Sequence, residues 1–147
     1  MRLALNEAKK ALRKDEIPIG AVLVKDGKII TKGHNLTKTW RDPTAHAEIV
    51  VLREAIKTIQ NERFLSTALY TTIEPCVMCA GAIVQARIPL VVFGADDVKA
   101  GACGSVLKVL PHVKLNHRPE VIKGIMGSEA ARLLQSFFRK KRKRGVL

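Results

Sequence analysis

The stretch that decides the fold is "PTAHAEIV", residues 43–50, where a histidine and a glutamate lie two positions apart among small or apolar residues. Polar side chains in such a setting need a partner or a chemical role. Asp42 and Pro43 form a helix-start signal, a capping side chain followed by proline at the first helical position. A helix is therefore predicted over residues 43–60, with His46 and Glu48 near its beginning.

A second stretch, "EPCVMCAGA" at residues 74–82, places Cys76 and Cys79 three positions apart at the start of another predicted helix. That spacing lets both sulfurs converge on one side, and with His46 they make a three-ligand zinc site. A structural zinc site usually has four protein ligands, whereas a catalytic one keeps a position for water. Cys103 is a possible fourth ligand, but it lies in a glycine-rich segment without paired spacing, which favours the open, catalytic site.

Glu48 would then be a proton carrier, because a carboxylate beside a zinc-bound water can take its proton and pass it to a substrate. This interpretation sets a geometric condition. Two positions along a regular helix correspond to about 200° of rotation, so His46 and Glu48 can face one metal only if His46 lies at or before the first regular turn. H-x-E and C-x-x-C are each common alone, and C-x-x-C is also typical of structural zinc or redox sites. Together, as H-x-E…P-C-x-x-C, they form the known signature of zinc nucleobase deaminases.

The rest of the chain alternates helical and strand-like patterns. The predicted order is a helix over residues 2–14, a β-hairpin of 17–24 and 28–35, the 43–60 helix, a strand at 68–73, a helix at 76–87, strands at 90–94 and 120–125, and a final helix carrying the apolar stripe from 130 to 138. This order predicts an α/β fold in which a five-stranded mixed sheet has helices on both faces.

The 147 residues are typical of one domain, residues 1–147, and contain no apolar run near the roughly 20 residues of a membrane span. The N-terminus lacks the apolar segment of a secretory signal, so a cytoplasmic location is expected. Net charge is +13, with six charges in Arg139–Arg144 and the remaining +7 on the body. Nucleic acid is the first expected partner and an acidic membrane surface the second. For the basic end, residues 139–147, a solvated and frayed helix end is the alternative.

The motifs resemble the bacterial tRNA adenosine deaminase family of the cytidine deaminase-like fold, three layers in the order α/β/α. Matching stretches are "IPIGAVLV", "DPTAHAEI", "LYTTIEPCVMCAGAI", "VVFGADDVKAGACGS", "LNHR" and "FFR", so the resemblance covers nearly the whole chain. It implies a hydrolase in which His46, Cys76 and Cys79 bind one Zn²⁺ per subunit and Glu48 shuttles protons. Hydroxide would attack C6 of adenine and ammonia would leave, giving inosine.

The resemblance also implies a substrate, the wobble adenosine in the anticodon stem-loop of an arginine tRNA with an ACG anticodon. The implied partners are this RNA and a second copy of the chain in a homodimer, with no membrane. The implied substrate-binding residues are Asn35, the Ala47 backbone N–H, Asp97, Lys99, Asn116, His117 and Phe138.

Simpler interpretations stand beside three of these residues. Asn35 could simply end a strand in a turn. Asp97 could cap a helix or form a loop salt bridge instead of accepting a hydrogen bond from a ribose 2′-hydroxyl, which would favour RNA over DNA. Phe137 is expected to be buried, and Phe138 could be buried with it as part of the core.

Two other functions remain open at this point. One is a zinc deaminase of a free base or nucleoside, of the guanine or cytosine type. The charge of +13 argues against it, because a small neutral substrate gains little from such a field. The other is a non-catalytic zinc-containing RNA-binding module, against which Glu48 and the missing fourth ligand argue.

Overall fold

The computed structural model describes residues 1–145. Across these residues the chain forms five helices and five strands. The helices are α1 (Arg2–Arg13), α2 (Thr37–Trp40), α3 (Ala47–Ile59), α4 (Val77–Gln85) and α5 (Gly127–Lys143). The strands are β1 (Gly20–Lys25), β2 (Lys28–His34), β3 (Thr67–Ile73), β4 (Leu90–Ala95) and β5 (Glu120–Ile122).

The strands form one mixed sheet in the order β2-β1-β3-β4-β5. The pairs β1–β2 and β1–β3 are antiparallel, whereas β3–β4 and β4–β5 are parallel. Asp26 and Gly27 join β1 to β2 with φ of 49° and 75°, the left-handed pair that a tight two-residue hairpin requires. The predicted hairpin and five-stranded mixed sheet are confirmed.

Helices cover both faces of the sheet, as predicted. α1 and α5 pack on one face, against a small cluster that includes Leu5, Ile73 and Ala130. α3 and α4 pack on the other, where residues such as Val51, Leu69 and Ile83 belong to the larger core. The result is three layers, with the larger core between the sheet and helices α3 and α4.

The predicted start of the third helix at Pro43 is wrong by four residues. The Asp42 carboxylate accepts hydrogen bonds from the Thr44 N–H at 2.8 Å and the Thr44 hydroxyl at 2.6 Å. Asp42 therefore caps a turn instead of a helix, and α3 begins only at Ala47. The short helix α2 before this turn was not predicted.

The end of one strand also differs from expectation. β5 ends at Ile122 instead of residue 125, because Gly124 adopts a φ of +87° that leaves the strand conformation. α5 runs to Lys143, so residues 139–143 of the basic end belong to the final helix. Lys141 is buried, ion-paired with Asp15 and placed 5.4 Å above the Phe137 ring, which anchors this end of the helix.

Val146 and Leu147, the last two residues of the basic end, lie outside the described residues. Within residues 1–145, none of the helices is both long enough and apolar enough to cross a membrane.

Candidate active site

Two helix beginnings meet at the carboxyl end of β3. The chain leaves β3 at Ile73, passes through Glu74 and Pro75, and enters α4 directly after Cys76. Cys76 and His46 are the residues immediately before α4 and α3, and both have extended backbone conformations. The partial positive charge of both helix N-termini is thus directed at one spot, where it favours thiolate and carboxylate groups.

His46, Cys76 and Cys79 form a cluster whose ligand atoms all lie within 4.8 Å of one another. His46 Nδ1 is 3.5 Å from Cys76 Sγ and 3.7 Å from Cys79 Sγ. Tetrahedral zinc, with bonds of about 2.0 Å to nitrogen and 2.3 Å to sulfur, requires a nitrogen–sulfur separation of about 3.6 Å. Both nitrogen–sulfur distances therefore fit a bound zinc ion.

Cys103 does not join this cluster in the part of the chain that the structure describes. Its thiol is partly buried, and its backbone N–H donates to Glu74 at 2.8 Å. The site thus offers three protein ligands, the number typical of a catalytic zinc centre.

The geometric condition on His46 and Glu48 is met. His46 has φ −68° and ψ 155°, outside the helix, and Glu48 is the second residue of α3. Because the helical rotation begins only after His46, both side chains reach the Cys79 thiol. Glu48 Oε2 lies 3.6 Å from Cys79 Sγ, and His46 Nδ1 lies 3.7 Å from the same sulfur.

Burial and hydrogen bonds between the side chains shift the pKa values of the cluster. Burial raises the pKa of the Glu48 carboxyl, which is 3% exposed and accepts a hydrogen bond from the Thr71 hydroxyl at 3.1 Å. Hydrogen bonding from Cys79 and His46 lowers the pKa of Cys76 to about 4. The neighbouring Cys76 sulfur in turn raises the pKa of Cys79, and it also raises the pKa of His46. A thiolate, a thiol and an imidazole held this close together form a ligand set that a divalent cation would bind with release of protons.

A cavity of about 720 Å³ opens above the cluster, within the size range of small-molecule sites. Its walls are largely apolar, with Ile17, Ile19 and Leu134 among them. The predicted site residues that line it are Asn35, His46, Glu48, Cys76, Asp97, Lys99 and Phe138. The structure therefore brings most of the predicted site to one cavity.

The side chains at the rim of this cavity make specific contacts. Lys99 Nζ lies 5.9 Å above the ring of Phe138, which is partly exposed, whereas Phe137 is buried as expected. Asp97 Oδ1 accepts from the N–H groups of Lys99 and Ala100, at 3.0 and 3.2 Å. Oδ1 of Asp97 therefore caps a loop turn. This is close to the simpler interpretation of Asp97, in which it is a structural cap.

Three predicted contact residues lie away from the cavity lining. Asn116 accepts a hydrogen bond from Arg87 Nη1 at 2.8 Å. His117 Nε2 donates to the Ile88 carbonyl at 2.7 Å, so both residues are tied to the connection between α4 and β4. Ala47 is fully buried at the start of α3.

Sequence reasoning missed two buried glutamates beside the cavity. Glu74 accepts from the N–H groups of Asp97, Cys103 and Ser105, and from the Ser105 hydroxyl. Glu16 accepts from Asn35 and from residues of α2. Their positions in the sequence could have indicated that they are buried. Glu16 directly precedes the apolar segment "IPIGAVLV", and Glu74 directly follows the apolar segment "ALYTTI".

The MafB19-like deaminase family model matches residues 1–142. The tRNA-specific adenosine deaminase of Haemophilus influenzae is 51% identical over 143 residues, which cover 97% of this chain and 83% of the relative. A solved tRNA:A34 deaminase, studied for A-to-I editing at the wobble position of transfer RNA, is 46% identical with a TM-score of 0.88 and coverage of 91% and 97%. A guanine deaminase from Bacillus subtilis is 42% identical with a TM-score of 0.62, over 65% of this chain and 61% of that one.

These similarities confirm the expected cytidine deaminase-like fold and the enzyme class. They extend over nearly the full chain, including the histidine–glutamate and paired-cysteine segments. The chain belongs to the MafB19-like deaminase family, among the enzymes named tRNA-specific adenosine deaminases.

Proposed function

We propose that this enzyme uses zinc to deaminate adenosine hydrolytically to inosine at the wobble position of a tRNA, the arginine tRNA with an ACG anticodon. The observation that carries the proposal is the placement of Glu48 against Cys79, beside the His46 cluster, at the bottom of a cavity with a basic and aromatic rim. The names of the similar enzymes support the tRNA substrate, and the solved tRNA:A34 deaminase supports the wobble position.

His46, Cys76 and Cys79 would hold one Zn²⁺ per subunit. A zinc ion bound there would lower the pKa of a coordinated water to about 7, which supplies hydroxide near neutral pH. The side chains of the three residues are oriented for this by the ends of α3 and α4, not by flexible loops.

Glu48 carries the protons in this mechanism. Its carboxylate takes a proton from the attacking water and delivers it to a ring nitrogen as oxygen bonds to C6 of adenine. It then takes the remaining proton from the oxygen now bonded to C6 and passes it to the leaving amine, so that the C6–N bond breaks and ammonia departs. The atoms balance as adenosine plus water giving inosine plus ammonia. Burial of Glu48, which raises the pKa of its carboxyl, suits a group that must hold a proton briefly.

The rim of the cavity would bind the anticodon loop. Phe138 offers a ring for base stacking, and Lys99 and Arg142 offer charge to phosphates. Asp97 Oδ2 accepts no hydrogen bond within residues 1–145, which leaves it for a ribose 2′-hydroxyl. Asn35 would contact the base together with the Ala47 N–H. Asn116 and His117 would contact RNA outside the cavity.

The same proposal includes a homodimer in the cytoplasm. Exposed apolar side chains on one stretch of the molecule are consistent with a partner subunit. Val77, at the start of α4, and Val106 and Leu107, in the loop bonded to Gly101, are each more than half exposed. Gly101 and Cys76 form a backbone bridge, so this loop lies next to the start of α4.

Similarity to a guanine deaminase supports a second candidate, deamination of a free purine. The basic charge of the chain favours RNA instead. The deciding assay incubates the zinc-loaded protein with an ACG anticodon stem-loop, with free adenosine and with guanine, and measures inosine and xanthine by mass spectrometry. Inosine from the stem-loop alone is the expected result. Turnover of free purine alone would replace the proposal with the second candidate, and tight RNA binding without turnover would replace it with a non-catalytic module.

A further inference from the structure

Glu16 is a fully buried carboxylate in the connection between α1 and β1. It is surrounded by hydrogen-bond donors from residues 35–39. Its Oε1 accepts from the Thr39 N–H at 2.7 Å and the Thr39 hydroxyl at 2.9 Å. Its Oε2 accepts from Asn35 Nδ2 at 3.0 Å, the Lys38 N–H at 3.3 Å and the Thr37 hydroxyl at 3.4 Å.

Part of this arrangement is a helix cap supplied from a distance. Leu36 precedes α2 and has no side chain that can cap the helix. Glu16 provides the missing acceptor for the N–H groups of Lys38 and Thr39, in the first turn of α2. The carboxylate thus ties the α1–β1 connection to α2.

The remaining contact reaches the cavity. Asn35 is 2% exposed and lines the cavity with His46 and Glu48. Its amide nitrogen lies 3.0 Å from both Glu16 Oε2 and Thr37 Oγ1. A carboxylate can only accept hydrogen bonds, so it determines which end of the amide turns toward it. Glu16 therefore selects one of the two amide orientations of Asn35.

We propose that Glu16 is a positioning residue for deamination, which acts by holding the Asn35 amide in the orientation that binds the substrate base. The inference rests on the proposed function, because it concerns how that reaction's substrate is bound. Glu16 does not line the cavity, so its effect on the substrate passes through Asn35.

The test is a double-mutant cycle of Glu16→Gln and Asn35→Ala, read as kcat/KM on the stem-loop. Glutamine keeps the size of Glu16, but its amide cannot accept hydrogen bonds on both sides. The expected result is a rise in KM of roughly tenfold for Glu16→Gln, with kcat within about threefold of wild type. In the Asn35→Ala background the same change should have almost no further effect. If the losses in kcat/KM of the two single variants multiply in the double variant, the proposal is overturned.

Asp15→Asn is the matched control, because Asp15 adjoins Glu16 and binds Lys38 and Lys141 but makes no contact with Asn35. Its KM should stay near that of wild type. The side-chain amide resonance of Asn35, followed by NMR, should shift in Glu16→Gln and stay in place in Asp15→Asn. An unmoved resonance in Glu16→Gln would contradict the role.

If Glu16→Gln fails to fold, Glu16→Asp addresses the same question, because it keeps the negative charge but shortens the side chain and so withdraws the carboxylate from Asn35 Nδ2. A KM increase that disappears in the Asn35→Ala background is expected, and an unchanged KM would contradict the proposal. The two hypotheses fail in different ways. If the wild-type protein has no activity on RNA, the proposed function is rejected. If the wild type is active but the effects of Glu16→Gln and Asn35→Ala multiply, only the role of Glu16 is rejected.

Discussion

Glu48 and Glu74 are both 3% exposed and both lie beside the cysteine pair, but their partners differ. Glu48 accepts a hydrogen bond from the Thr71 hydroxyl and faces the Cys79 thiol. Glu74 accepts from three backbone N–H groups and one hydroxyl, all in the segment 97–105. Burial raises the pKa of Glu48. It would raise that of Glu74 too, but the hydrogen bonds, first from Ser105, lower the pKa of Glu74 overall.

The difference is the one expected between a group that exchanges protons, which is the role proposed for Glu48, and a group that holds a loop. A buried carboxylate with few donors gains from taking a proton, whereas one saturated with donors stays ionised and fixes its donors in place. Gly101 packs so closely on Glu74 that an added Cβ would overlap the carboxylate. The loop that carries Asp97 and Lys99 to the cavity is therefore built around Glu74.

The largest effect is expected for Cys79, the cysteine that contacts Glu48, and not for Cys103, the cysteine bonded to Glu74. Cys79→Ala should lose the bound zinc and reduce deamination to background, because a three-ligand site cannot spare a ligand. Cys103→Ala should keep both, since its contact with Glu74 is made by the backbone. Metal content by mass spectrometry and inosine formation measure this. Zinc loss in Cys103→Ala would instead indicate a fourth ligand and a structural site.

Glu48→Gln should reduce the single-turnover rate on bound stem-loop by about 10²–10⁴-fold, the contribution of a general acid–base. Zinc content should not change. The free energy of unfolding should stay within ~1 kcal/mol of wild type, because glutamine can still accept from Thr71 and avoids a buried charge.

Glu54→Gln, on the exposed side of the same helix, is the control and should behave like wild type. Loss of zinc in Glu48→Gln would mean that Glu48 is a ligand, and its difference from Glu74 would then need another explanation.

The sequence predicted one glutamate of this pair and not the other for a physical reason. Glu48 belongs to a short local pattern, H-x-E, whose chemistry depends on residue types at fixed spacing. The donors to Glu74 lie 23–31 residues away along the chain, and those to Glu16 lie 19–23 residues away. Such partners appear only when the sheet brings the loops together.

Element order was predictable for the converse reason, since apolar periodicity is a local property of each segment. The late start of α3 could not be predicted, because Asp42 is equally suited to capping a turn or a helix. Only the condition that His46 precede the helix could be derived beforehand. The distance of Asn116 and His117 from the cavity likewise depends on tertiary contacts with Arg87 and Ile88.

Glu74→Ala should act on the loop and on stability more than on chemistry. It leaves the N–H groups of Asp97, Cys103 and Ser105 without their acceptor, at ~1–3 kcal/mol for each group that water does not reach. We expect a loss of ~2–4 kcal/mol in the free energy of unfolding and faster hydrogen exchange across residues 97–105. KM for the stem-loop should rise roughly tenfold, while the single-turnover rate stays within about threefold.

Glu120→Ala, which removes an exposed carboxylate on β5, is the control for the lost charge. A large fall in the single-turnover rate of Glu74→Ala, with the loop's exchange unchanged, would contradict the division of roles between Glu74 and Glu48.

The smallest effect concerns pH and extends the comparison to Glu16. Burial alone raises the pKa of Glu16, but hydrogen bonds from Thr39, Lys38 and Thr37 lower it below its ordinary value of 4.5. A folded-state pKa below the unfolded one contributes stability above pH 4.5, and this contribution is lost as pH falls through the folded pKa. Glu16→Gln should therefore have a lower free energy of unfolding than wild type at pH 7. This difference between the two proteins, the stability gap, should narrow below pH 4.5 by at most ~1.4 kcal/mol per pH unit.

Urea unfolding at several pH values measures this gap. The two proteins share His46, Cys76 and Cys79, so any loss of metal in acid affects both and cancels in the difference. The Lys38 ammonium interacts with the charge of Glu16, but it is paired with Asp15 in both proteins. A gap that stays constant from pH 7 to pH 3 would mean that Glu16 is not ionised more readily in the folded state. Glu16 would then resemble Glu48, and saturation with donors would not be what distinguishes the carboxylates that hold loops.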